Sequence, residues 1–135
     1  MKTLIIGFKG IHNPSFKLVN KIDCDKYFLT NSFQGIDRDL GKIDFSLYDN
    51  VILFGFNKAL KNVVQIEKYA KKDILKESAY DLKDIISNLE MKQIKYRINY
   101  EPSNYLCNYA YFKLLYLMNG NAVLIHVPFH IDFLF

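Results

Sequence analysis

Three short runs govern what this chain can fold into. Thr3 to Phe8, Asp49 to Phe56 and Ala122 to Phe129 are dominated by apolar, partly β-branched residues, and each contains or meets a glycine or proline. A strand covered on both faces shows no polar alternation, so such runs belong in the middle of a parallel sheet. Amphipathic helices are expected between them. Ser78 to Glu90 places Ala79, Leu82, Ile85, Ile86 and Leu89 on one face, and Ser78 with Asp81 reads as a capping box with Asp in place of Glu. Tyr105 to Met118 is a second helix, ending at Asn119-Gly120. Asn13-Pro14-Ser15 starts a shorter one, with Asn13 as N-cap and Phe16, Val19 and Ile22 on its inner face.

The remaining segments are weaker signals. Lys26 to Thr30 is a candidate strand, and Ile94 to Tyr100 alternates as a half-buried strand does. Asn31 to Ser46 reads as irregular, with Gly35 and Gly41 as turn points. Asn62 to Lys72 fits a helix through Val63, Ile66 and Ala70, or a strand through Val64 and Ile66. The alternation of apolar strands and amphipathic helices predicts an α/β fold, a single three-layer α/β/α domain spanning residues 1–135 with a mostly parallel central sheet.

Composition narrows the function classes. Half of the 135 residues are apolar, enough to bury a core and to exclude disorder. The net charge of +4 is spread along the chain; the densest run, Lys68 to Lys72, is offset by Asp73, Glu77, Asp81 and Asp84. Nucleic-acid binding needs basic residues clustered on one face, and Arg38 and Arg97, far apart, do not form such a patch, so no nucleic-acid partner is expected. No apolar stretch approaches the roughly 18 residues needed to span a bilayer, so no membrane association is expected. Cys24 and Cys107 are too few for a disulfide framework, and no secretory leader is recognisable, so a cytoplasmic, reduced location is expected. With no zincin-like spacing and no glycine-rich phosphate loop, neither metal nor cofactor is expected.

Cys107 lies near the start of a predicted helix. A helix N-terminus favours a thiolate through its unpaired N–H groups, and the same groups can hold an oxyanion. His126 lies on the following strand, whose C-terminal end a strand–turn–helix–strand unit brings near that helix N-terminus in a parallel arrangement. A cysteine and histidine so placed form a nucleophile and a general base. On residue types alone, inert core packing is the better explanation of both. Cys24 stands between Asp23 and Asp25, which raise a thiol's pKa and make it a poor nucleophile. His12 reads as an exposed loop residue, and His130 has no identified partner.

Ser103-Asn104-Tyr105-Leu106-Cys107-Asn108-Tyr109, Phe112 and Ile125-His126-Val127-Pro128-Phe129 resemble, nearly residue for residue, the nucleophile helix and histidine strand of the pyroglutamyl peptidases. These cysteine peptidases remove N-terminal pyroglutamate with a Glu–Cys–His triad. Gly7-Phe8 with Asn13-Pro14-Ser15 is similar to the family's opening strand, loop and helix, and Val51 to Phe56 to the strand leading to its glutamate. Ile66-Glu67-Lys68-Tyr69-Ala70 looks like the segment carrying that glutamate, which favours strand over helix there. The resemblance implies a phosphorylase/hydrolase-like fold and a peptide partner with N-terminal pyroglutamate. It implies Cys107 as nucleophile, His126 as general base and acid, Glu67 as the group orienting the imidazole, and Phe8 as part of an apolar substrate pocket.

The chain departs from that pattern in four places. The opening loop is the shorter Lys9-Gly10-Ile11-His12, and Asn57-Lys58-Ala59-Leu60 replaces the family's Gly-Gly-Arg. The acidic, proline-containing segment after the glutamate strand is missing, with its arginine; Arg38 and Arg97 lie elsewhere. The family's C-terminal helix has no counterpart in the tail to Phe135, which implies an undercovered sheet face and possible homo-oligomers. Two readings stay open: a minimal cysteine peptidase, or a non-catalytic relative that acts as a binding or interaction protein.

Overall fold

The computed structural model describes residues 1–102 and 105–129; Ser103, Asn104 and the tail from His130, including the turn expected at 102–104, lie outside the described residues. The strands are β1 (Thr3–Phe8), β2 (Lys26–Leu29), β3 (Asn50–Phe56), β4 (Val64–Glu67), β5 (Tyr69–Lys71), β6 (Leu75–Glu77), β7 (Tyr96–Asn99) and β8 (Ala122–Val127). The helices are α1 (Pro14–Lys21), α2 (Phe33–Leu40), α3 (Lys83–Met91) and α4 (Tyr105–Leu117).

Six strands form one sheet in the order β2-β1-β3-β8-β4-β7, with every neighbouring pair parallel except β8 and β4. β5 and β6 form a separate hairpin. The three apolar runs are the centre of the sheet, as their lack of alternation requires: β8 is buried at all six positions. Leu53 and Leu124 pack with α2 and α4 on one face, while Ile52, Ile66 and Ile125 pack with α1 and α3 on the other. The result is the expected three-layer α/β/α arrangement. An open apolar groove bounded by Leu18, Phe54, Val64, Leu89 and Ile94 remains on the α1/α3 face.

Several local expectations need correction. The segment 31–46 is not irregular: Ser32 caps α2 by accepting from the Gly35 amide, and a 3-10 turn follows at Phe45–Leu47. Gly35 is no turn point. A Cβ there would stand 2.6 Å from Thr30 Cβ, so the glycine lets α2 lie tightly against the end of β2. On α1 the buried apolar positions are Leu18 and Val19 rather than Phe16 and Ile22.

The helix expected from Ser78 begins only at Lys83. Ser78 is not its cap; its hydroxyl donates to the Ala122 carbonyl at 2.5 Å, tying the segment after the β5–β6 hairpin to the start of β8. Asp81 accepts instead from the Lys83 amide. The segment 62–72 is strand, as the resemblance favoured. Finally, β7 is parallel to β4 and therefore antiparallel to β8, so β7, α4 and β8 are not the parallel crossover unit expected.

Candidate active site

The sheet register brings the candidate residues to one face. β4 runs antiparallel to β8 with Gln65 opposite His126 and Glu67 opposite Leu124. Residues two apart on a strand share a face, so Gln65, Glu67, His126 and Leu124 all point to the α4 side. On the other flank of β8, Gly55 pairs with His126.

Gly55 decides how close α4 can come. A Cβ built on it would meet Cys107 Sγ at 2.8 Å, His126 Cδ2 at 3.1 Å and His126 Nε2 at 3.2 Å. The sulfur and the ring nitrogen therefore flank a space that any side chain at 55 would fill. Cys107 is the third residue of α4, in the turn whose amides the helix's own hydrogen bonds do not use. Asn108, the next residue, fixes the helix start to the hairpin: its Oδ1 accepts from the Lys71 amide at 3.0 Å and its Nδ2 donates to the Lys71 carbonyl at 2.7 Å.

Behind the imidazole, His126 donates from Nδ1 to Glu67 Oε2 at 2.9 Å. A carboxylate only accepts, so Nδ1 is the donor of this pair and Nε2 is the ring nitrogen turned to the Cys107 side. Glu67 is fully buried and His126 nearly so. A buried carboxylate needs several donors, and Glu67 also accepts from Gln65 Nε2 at 2.5 Å and Asn99 Nδ2 at 2.7 Å. Its backbone carbonyl accepts from the buried Tyr111 hydroxyl at 2.7 Å, which seats α4 on β4.

Burial pushes the Cys107 thiol up to about 12, with the charge of Glu67 adding to the rise. Burial thus works against the thiolate that the helix N-terminus favours, so forming the nucleophile calls for a base. His126 Nε2 faces the same space above Gly55 as the sulfur. Cys24 is also raised, by burial first, while Lys26 pulls it down and Asp25 and Asp23 push it up. It takes no part in the cleft.

A cleft of about 520 Å³ opens over these groups, lined by Phe8, Asn13, Asn31, Phe56, Asn57, Tyr105, Leu106, Cys107 and His126. Phe8 is buried at the end of β1, its amide donating to Ser15 Oγ at 3.2 Å. Phe56 meets Phe129 edge-on at 6.1 Å between ring centroids. The short loop 9–12 is tied to the wall because Asn31 Nδ2 donates to the Lys9 carbonyl at 2.8 Å. His12 is exposed on that loop. Among the described residues, no cluster of three His, Cys, Asp or Glu side chains is arranged to hold a metal, and no helix is long and apolar enough to cross a membrane.

All four residues singled out in the sequence lie at this site: Cys107, His126 and Glu67 together, Phe8 in the wall. Gln65, Arg97 and Asn99 escaped the sequence reading. Gly55 carried a signal, since a glycine near the C-terminal end of an apolar strand marks a close approach. Arg97 and Asn99 looked like the solvated face of an alternating strand.

No family model and no curated protein sequence matches the chain. Solved structures do. Pyroglutamyl peptidase I from Bacillus amyloliquefaciens superposes with a TM-score of 0.81 at 14% identity, covering 94% of this chain and 81% of that one. The fold is pyroglutamyl peptidase-like. Pyrrolidone carboxyl peptidase from Thermus thermophilus gives 0.77 at 18% identity, over 93% of this chain and 84% of that one. The enzyme from Thermococcus litoralis gives 0.75 at 22% identity, over 94% and 76%. At these identities the likeness establishes the pyroglutamyl peptidase-like architecture.

Proposed function

We propose that the chain is a cysteine peptidase of pyroglutamyl peptidase type, with Cys107 as nucleophile, His126 as general base and acid, and Glu67 orienting the imidazole. One observation carries this reading. Cys107 Sγ and His126 Nε2 face the same space above Gly55, with Glu67 behind Nδ1, at the floor of a cleft.

In the proposed reaction His126 Nε2 takes the thiol proton as Sγ attacks the carbonyl carbon of the first residue. The oxyanion lies at the α4 N-terminus, where first-turn amides such as that of Cys107 are free to donate. Nε2 returns the proton to the leaving amine, and the C–N bond breaks. Water then enters, gives a proton to Nε2 and attacks the thioester; the acid is released and the thiol regains its proton. Glu67 stabilises the imidazolium in both halves without being protonated. The cleft wall suits a small uncharged ring such as pyroglutamyl. Phe8, Phe56 and Leu106 supply apolar surface, Asn13, Asn31 and Asn57 supply amides, and among the described residues no Lys, Arg, Asp or Glu lines it.

The test is turnover of a fluorogenic pyroglutamyl amide by the wild type, Cys107→Ser and Cys107→Ala, with alkylation mapped by mass spectrometry. Turnover confined to the wild type, with iodoacetamide selective for Cys107 over Cys24, is the expected result. No turnover and no selectivity would leave a non-catalytic binding protein on the same fold.

A further inference from the structure

One strand reaches Glu67 in two ways: Asn99 of β7 bonds it directly, and Arg97 of β7 acts through Gln65. β7 lies beside β4 in parallel register, with Arg97 opposite Gln65 and Asn99 opposite Glu67. Arg97 Nε donates to Gln65 Oε1 at 2.6 Å, and Gln65 Nε2 donates to Glu67 Oε2. Asn99 Nδ2 donates to Glu67 Oε1 and also to the Glu101 carbonyl at 2.8 Å.

We infer that Arg97, Gln65 and Asn99 are positioning residues that hold the Glu67 carboxylate and keep it aimed at His126. A glutamine amide can present either its nitrogen or its oxygen, and only the nitrogen can donate to a carboxylate. Arg97 resolves that choice: by binding Oε1 it turns Nε2 toward Glu67. Arg97 thereby polarises the amide, and its positive charge acts on Glu67 through one neutral side chain rather than by direct contact. Asn99 does the same for Oε1, its own orientation set by the backbone at Glu101. The line Arg97, Gln65, Glu67, His126 runs across three strands and ends at the base proposed to take the Cys107 proton.

The groups facing Glu67 fix the sign of the effect. They are His126 from β8, Arg97 and Asn99 from β7, Gln65 on its own strand, and Cys107 and Tyr111 from α4, Tyr111 bonding only the backbone carbonyl. Removing a donor or a positive charge from beside the carboxylate favours a proton on the hydrogen-bonded Glu67–His126 pair.

This inference rests on the proposed function, but its test does not require turnover. Arg97 is exposed, so Arg97→Met keeps the stem and leaves the core intact. In a Cys107→Ala background, the His126 ring is titrated by NMR with and without Arg97→Met, Arg97→Lys and Asn99→Ala. The Met and Ala variants are expected to move the transition up by about one pH unit, the scale of one lost charge-assisted hydrogen bond. Arg97→Lys, which retains the charge and one donor, is expected to recover part of that shift. In the Cys107 enzyme the same variants should lower kcat about tenfold with KM unchanged, and carry the acid limb of the rate profile upward. An unmoved or lowered His126 transition in both Arg97→Met and Asn99→Ala would overturn the inference while leaving the peptidase reading intact. An inactive wild type with a shifted transition would do the reverse.

Discussion

Gly55 and His126 are paired across β3 and β8, and a methyl group on Gly55 would stand 3.2 Å from His126 Nε2 and 2.8 Å from Cys107 Sγ. The space the two reactive atoms share exists because position 55 has no side chain. Gly55→Ala must therefore displace the sulfur or the ring. The expected result is a folded protein with turnover reduced roughly 100-fold, since misplacement of about 1 Å is enough for that loss. Near-normal kcat in this variant would show that the two atoms do not act together.

Glu67→Gln keeps the shape and removes the charge. Its amide must then set a donor against Gln65, Asn99 or His126, or turn so that His126 Nδ1 loses its acceptor. The histidine is left free to take the wrong tautomer. A fall in kcat of roughly 10²- to 10⁴-fold is expected, by analogy with removing the carboxylate of a serine-protease triad. Steady-state kinetics with a pyroglutamyl amide measures it.

The raised Cys107 thiol has a stability consequence of definite sign. The folded state holds this proton up to about 12, whereas the unfolded thiol releases it near the ordinary value of 9.0. Between those values the folded state binds more protons than the unfolded one, so this contribution is present below pH 9 and is lost as pH rises toward 12. Tyr111, also raised mainly by burial, adds to the same alkaline decline. Urea denaturation at about pH 8 and about pH 10.5 should show the stability difference between wild type and Cys107→Ala shrinking at the higher pH. A pH-independent difference would mean that the thiol titrates normally.

Tyr111→Phe removes the hydroxyl that the buried Glu67 carbonyl accepts. The buried carbonyl then loses one donor, at a cost of about 0.5–1.5 kcal/mol. Thermal unfolding should show the loss. Because α4 is anchored to β4 there, kcat should fall with stability rather than independently of it.

The central strands were legible because their runs had no polar alternation, a pattern that only two-sided burial explains. α2 was not legible. It is eight residues long, and Gly35 inside it resembled a turn residue, although Ser32 as N-cap with Ile36 and Leu40 one turn apart were signals of a helix. The start of α3 was misplaced because Ser78 and Asp81 have the spacing of a capping box. Tertiary structure overrode it by offering the Ser78 hydroxyl the Ala122 carbonyl.

By itself the sequence determined the α/β layering and carried the resemblance that points to Cys107, His126, Glu67 and Phe8. Each rests on local pattern or residue identity. The relations between strands distant in sequence were decided only by the fold. Gly55 came to face His126 through the parallel pairing of β3 and β8, and Arg97 and Asn99 came to serve Glu67 through the pairing of β7 with β4. Polar residues alternating on a strand look the same whether they face water or a buried carboxylate. Sheet order and register make the difference, and they are set by packing between segments more than 30 residues apart.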